Sequence, residues 1–143
     1  MRDIRFKAKR KDNGEWIDGY LFNNGYDGDE ERFFVGYIII DEYAGTADDE
    51  WDITGIDFAE VIHETVCQYT GLNDINGNMI FENDVVEYAG DRYTVEWTQH
   101  NARFSLLDLQ EDVVCDFDNF YGHELEVIGN IFDNPGLLEG SHD

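Results

Sequence analysis

The sequence predicts a mainly β protein with little helix, built around a small closed or half-closed barrel. Three observations predict it. Glycine is common, at 14 of 143 residues, while proline occurs once, which suits tight turns between strands better than linkers. Apolar and polar residues alternate with a period of two in several short runs, the period of a strand with one buried face. Turn signals separate those runs at short, regular intervals. The 42% hydrophobic and 15% aromatic content excludes a disordered chain, even with 33 acidic residues against 9 Lys plus Arg.

The first element is a hairpin, "IRFKAKRKDNGEWIDGYLF". Ile4, Phe6 and Ala8 alternate with Arg5, Lys7 and Lys9, so the apolar set is expected to face the core together with Ile17 and Leu21. Asn13-Gly14 supplies residues that tolerate positive φ in the turn. Trp16, Asp18 and Tyr20 take the other face of the return strand, which sets Asp18 against the Lys/Arg strip. A polar, turn-rich loop follows over residues 23–31, and then "RFFVGYIII" (32–40), whose β-branched and aromatic run predicts a buried strand. Residues 41–52 read as an acidic connection in which Thr46 caps a short turn, and residues 56–66 as an extended segment.

The most patterned stretch is "QYTGLNDINGNMIFENDVVEY", residues 68–88. Gly71 is expected to end a strand at positive φ, Asn76-Gly77 to form a second hairpin turn, and "MIF" to resume the extended chain. "ENDVVEY", "DRYTVEWT" and "ARFSLLDL" predict three further short strands, turning at Ala89-Gly90-Asp91 and Gln99-His100-Asn101. Val113, Val114, Phe117, Phe120 and Tyr121 share one helical face ahead of Gly122, so a short helix is expected over residues 111–122. "ELEVIGNIF" predicts a last strand, and residues 133–143 a loosely ordered tail.

The net charge is -24, and its distribution is uneven: Arg2, Arg5, Lys7, Lys9, Arg10 and Lys11 fall within the first eleven residues. An acidic body with one basic strand repels nucleic-acid backbones, and its charge favours solubility. No run of about 18 apolar residues predicts a membrane span. The basic start carries no apolar segment of a secretory signal, and Cys67 and Cys115 are too few for a disulfide framework. The expectation is a cytoplasmic, soluble protein.

Three segments resemble the YopX-like proteins of bacteriophages and prophages: "IRFKAKRKDNGEWIDGYL", "ETVCQYTGLNDINGNMIFENDVVEY" and "EVIGNIFDNP". Residues 23–56 and 99–122 carry little of the resemblance. Its specific part is the order Gln68, Tyr69, Thr70, Gly71, Leu72, Asp74, Gly77, Asp84 and Val85. Asn83 departs from the glycine of the family's "EGD" triplet, yet Asn also tolerates a left-handed backbone. The resemblance implies an SH3-like small barrel in the C-terminal half with an N-terminal β-hairpin extension packed on it. It implies a single domain over residues 1–143: an N-terminal β part (1–66), a barrel part (67–132) and a tail (133–143). It supplies no reaction. With Asn76 and Asn83 added, the motif residues read as structural, because Thr70, Asn73 and Asp84 have turn roles that need no ligand.

No catalytic, cofactor or metal residue is expected. Fitting residues 72–83 to a calcium-binding loop puts Leu72 at the first ligand position and Asn83 where a bidentate Glu belongs. His63 and Cys67 have a His-x3-Cys spacing that His100, Cys115 and His123 could in principle complete, but on a strand the first two stand about 13 Å apart, too far to share a zinc ion. No nucleophile elbow or phosphate loop occurs. The chain is therefore expected not to be an enzyme. Three readings of function follow. The favoured one is a phage or prophage accessory protein that contacts an unidentified host or phage protein, homo-oligomer included. The second is an acidic DNA mimic that inhibits a host DNA-binding protein. The third is a nucleic-acid binder using Arg5, Lys7, Lys9, Trp16 and Tyr20 as its surface.

Overall fold

The computed structural model describes residues 4–42, 51–99, 102–110, 112–116 and 124–139, with backbone alone at 38–42, 51–56 and 114–116. The chain divides into two compact units, Arg5–Val66 and Cys67–Asp143, the latter grouped with Met1–Ile4.

The N-terminal unit holds β1 (Phe6–Lys9), β2 (Trp16–Asn23), β3 (Phe33–Glu42) and β4 (Trp51–Glu60), each antiparallel to the next. The first turn spans Lys11–Gly14: Arg10 N–H donates to the Glu15 carbonyl at 2.9 Å, and Gly14 takes φ 73°. Opposite residues share a face, so Ala8↔Ile17 points inward and Lys7↔Asp18 outward. Ala8, Val35 and Val61 form the buried core, with Ile17, Leu21, Phe33 and Val66 against it. Ile4 departs from expectation at 50% exposure, because the register with β2 begins only at Phe6↔Gly19.

This sheet curls until its ends meet. The segment after β4 returns to the end of β1 through the bridge Arg10↔Val61, with Ile62 N–H on the Lys9 carbonyl at 2.8 Å and Lys11 N–H on the Glu60 carbonyl at 3.0 Å. Two glycines permit the bend. A Cβ on Gly19 would lie 2.6 Å from the Gly36 carbonyl oxygen, and one on Gly36 2.0 Å from that of Asp57. Phe6 stands opposite Gly19 and Phe58 opposite Gly36, so each bare backbone position has an aromatic residue as its cross-strand partner.

The C-terminal unit opens with a hairpin of β5 (Cys67–Asn73) and β6 (Met79–Phe81). Then come β7 (Asp84–Tyr88), β8 (Asp91–Thr98), β9 (Arg103–Leu107), β10 (Val113–Asp116) and β11 (Glu126–Asn130), in the antiparallel order β10-β9-β8-β7-β11. Ile80, Val86, Val95, Phe104, Leu106 and Leu125 form its core. β7 and β8 turn through Ala89-Gly90, both at positive φ (53° and 87°), the twist that a two-residue hairpin requires.

Several expectations are corrected. Val113–Asp116 is a strand rather than the start of a helix: Val113, Cys115 and Asp116 pair with Leu107, Leu106 and Ser105 of β9, and that ladder outweighs a helical periodicity. The rest of the expected helix, residues 117–122, lies outside the described residues, as does Thr46. Asp41–Glu42 and Trp51–Asp52 extend β3 and β4 instead of belonging to the connection. Gly71 does not end its strand; it sits inside β5, at φ 92°, where the register with β6 shifts between Tyr69 and Asn73. His63–Thr65 is a 3-10 turn, not extended chain. Pro135–Leu138 is likewise a 3-10 turn, anchored by Leu137 N–H on the Asn134 carbonyl, so the start of the tail is ordered.

Candidate functional site

Two places invite a functional reading: the motif of residues 68–84 and the outer face of the N-terminal sheet. In the motif, Thr70, Asp74, Glu82 and Asp84 are committed to backbone, and Tyr69, Asn73, Asn76 and Asn83 to other side chains. Asp74, only 4% exposed, accepts from Asn76 N–H (2.9 Å) and Asn78 N–H (2.8 Å) through Oδ1, and from Val127 N–H (2.9 Å) through Oδ2. It therefore closes its own turn and ties that turn to β11, 53 residues later. Asp84 accepts from Phe81 N–H at 2.8 Å; Thr70 Oγ1 donates to the Ile80 carbonyl and accepts from Leu72 N–H. Tyr69 O–H donates to Asn73, and Gln68 N–H reaches the Glu82 carboxylate at 3.4 Å. Asn83 takes φ 71° in place of a glycine, and its amide nitrogen donates to the buried Cys67 Sγ at 3.6 Å. Gly77 takes φ 84°. Leu72 and Ile75 are the motif's exposed apolar side chains.

The electrostatics agree with this geometry. Burial alone would push the Asp74 carboxyl up, but the amides of Val127, Asn78 and Asn76 outweigh it and hold the group below the usual carboxylate range. Burial pushes Glu82 the other way, upward, opposed by the Gln68 amide and reinforced by Glu96. Both carboxylates are occupied by structure.

The outer face of the N-terminal sheet is different. Its cross-strand partners are Lys9↔Trp16, Lys7↔Asp18, Tyr20↔Gly36↔Phe58 and Phe22↔Phe34↔Glu60. Tyr20 is 54% exposed and Phe22 38%. Tyr37, also 38% exposed, meets Tyr20 edge-on at 5.8 Å, and its hydroxyl donates to Asp18 at 3.3 Å. Burial, then the Asp18 charge, push that phenol up. Phe22 and Phe58 meet edge-on at 4.6 Å. The ammonium groups of Lys7 and Lys9 both lie over the Trp16 ring, at 4.7 and 5.4 Å from its centre.

Of the surface residues expected from sequence, Lys7, Lys9 and Trp16 thus form one cluster, Tyr20 lies further along the same face, and Arg5 lies close enough to favour the ionised Tyr37 phenol. The basic strip is answered from within. Arg10 makes a two-pronged pair with Asp12 (3.0 and 2.8 Å), and Lys11 pairs with Glu60 at 3.0 Å. Sequence reasoning missed Phe22, Phe34, Tyr37 and Phe58. For Phe22 the signal was present: it continues the alternation of Trp16, Asp18 and Tyr20.

Among the described residues, no group of three or more His, Cys, Asp or Glu stands close enough to hold a metal ion. His63 instead stacks parallel on Phe33 at 4.0 Å. No helix among them is long and apolar enough to cross a membrane.

A family model described as YopX protein matches residues 5–139. No curated protein matches the chain. Among solved structures, the crystal structure of protein EF1440 from Enterococcus faecalis is similar at 24% identity, covering 97% of this chain and 100% of that one with a TM-score of 0.58, a likeness of fold.

Proposed function

The chain belongs to the YopX protein family, and on that premise we propose that it is a phage or prophage accessory protein without catalysis of its own, working as a protein–protein interaction module. The observation that supports this is the outer face of β2–β4. Contiguous exposed aromatic side chains are costly to leave in water and are the residues most enriched at the centres of protein interfaces. Tyr20, Phe22 and Tyr37 stand there at a third or more exposed, while the motif of residues 68–84 spends its polar groups on holding the fold. A nucleic-acid surface is disfavoured, because Arg10, Lys11 and Lys7 face Asp12, Glu60 and Asp18.

A photo-crosslinking side chain placed at Phe22, and separately at Trp97 of the C-terminal unit, tests this in bacteria carrying the phage or prophage. The expected result is a discrete protein adduct from position 22, resistant to nuclease, and none from position 97. A nuclease-sensitive adduct, or equal adducts from both positions, would overturn the reading.

A further inference from the structure

We infer that the partner presents a basic, arginine-bearing segment, and that its guanidinium groups lie on the aromatic outer face of the N-terminal sheet. This deepens the interaction-module reading and rests on it. Charge complementarity carries it. The chain has a net charge of -24, so an approaching segment is attracted only if it is basic. Trp16 shows that a ring of this face takes cations, since the ammonium groups of Lys7 and Lys9 lie over it; those two charges repel a further cation at that end and direct it to the other. At its far end, beside Phe34, a cavity of about 550 Å³ is walled by Tyr26 (60% exposed), Phe34, Asp29 and Glu30, with Asn24 and Arg32. Glu60 stands across from Phe34 in register but is held by Lys11 at 3.0 Å, so the carboxylates offered at this end are those of Asp29 and Glu30. Flat rings next to carboxylates suit a guanidinium, which stacks on the first and forms forked hydrogen bonds to the second; an ammonium does only part of this. A phosphate-bearing partner would meet Asp29 and Glu30 at that end.

The test uses the full chain at about 150 mM salt, where charges more than about 8 Å apart are screened. The probe is an acetylated peptide of six Gly-Arg repeats, compared with its Gly-Lys and Gly-citrulline counterparts, the last keeping the shape and losing the charge. Binding is followed by calorimetry. Three double variants are measured once their melting midpoints are shown to match the parent: Tyr20→Ser with Phe22→Ser, Asp29→Asn with Glu30→Gln, and, on the C-terminal unit, Glu87→Gln with Asp91→Asn. The expected result is that the Arg peptide binds several-fold tighter than the Lys peptide, that citrulline abolishes binding, and that the first two variants weaken it about five-fold or more while the third changes it less than about two-fold. Equal loss in all three means diffuse attraction to an acidic surface and overturns the inference. So does a dimer in sedimentation that the Tyr20→Ser, Phe22→Ser variant dissolves, because a second copy is then the occupant. No binding of the Arg peptide, with the crosslink at position 22 intact, overturns the basic partner and leaves the module standing. Loss of both overturns both.

Discussion

The two units use the same residue types in opposite ways. The C-terminal unit buries Ile80, Leu106 and Leu125 fully while leaving Leu72, Ile75, Trp97 and Val113 exposed singly, and it spends its motif carboxylates on backbone amides. Among the side chains described, the N-terminal unit buries Ala8, Val35 and Val61 completely and leaves Tyr20, Phe22 and Tyr37 together in water. Its sheet is held instead by curling back on itself through Arg10 and Val61. The difference teaches where to look for work. A patterned sequence motif whose carboxylates are spent on backbone amides serves the architecture, and an aromatic strand with its rings outside is where the interface is proposed.

The comparison breaks first if the cores do not differ in what they contribute. Leu106→Ala should destabilise by about 3 kcal/mol, through lost burial and the cavity left behind, whereas Val35→Ala should cost about 2 kcal/mol. Denaturant midpoints decide it, and the reverse order would mean that the N-terminal unit carries the fold. Asp74→Ala should come next, at about 2 kcal/mol, since it strips the acceptor from the amides of Asn76, Asn78 and Val127. Here pH sharpens the test. The Asp74 carboxyl titrates lower when folded than the ordinary value of about 3.9, so its contribution is complete above that pH and is lost as pH falls through the folded value. The gap between parent and variant should thus stay level from neutral pH to about 4 and close below it; a gap that closes between pH 7 and 5 would put the titrating group elsewhere. The smallest effect is expected on the outer face. Tyr20→Ser and Phe22→Ser should each stay within about 0.5 kcal/mol of the parent in stability, the behaviour of surface positions. A loss several times larger would make those rings structural and remove the ground for an interface.

Much of the C-terminal unit was legible. The alternation in "DRYTVEWT" places β8 at its observed bounds, Asp91–Thr98, because adjacent strands joined by two-residue turns write their pattern locally. Gly71, Gly77 and Asn83 reveal their positive φ by residue type alone. What stayed hidden is non-local. Nothing near Arg10 announces that it will bridge Val61, and nothing in Val113–Asp116 announces β9 as a partner. The outer face was half legible: Trp16 and Tyr20 follow from the hairpin's alternation. "RFFVGYIII" is an unbroken apolar run, which periodicity reads as wholly buried, yet Phe34 is only half-buried and Tyr37 turns to solvent beside Tyr20 and Asp18.

The closure of the N-terminal sheet has a consequence for its portability. Lys9 N–H donates to Thr65 Oγ1 at 2.8 Å, and Ile62 N–H to the Lys9 carbonyl, so the segment leaving this unit runs beside its first strand. A unit whose exit lies against its first strand can be spliced into a loop of another protein with little stretching of the host. It can also be rewired by sealing its ends and opening the polar loop of residues 23–31. The aromatic face of β2–β4 would travel with it.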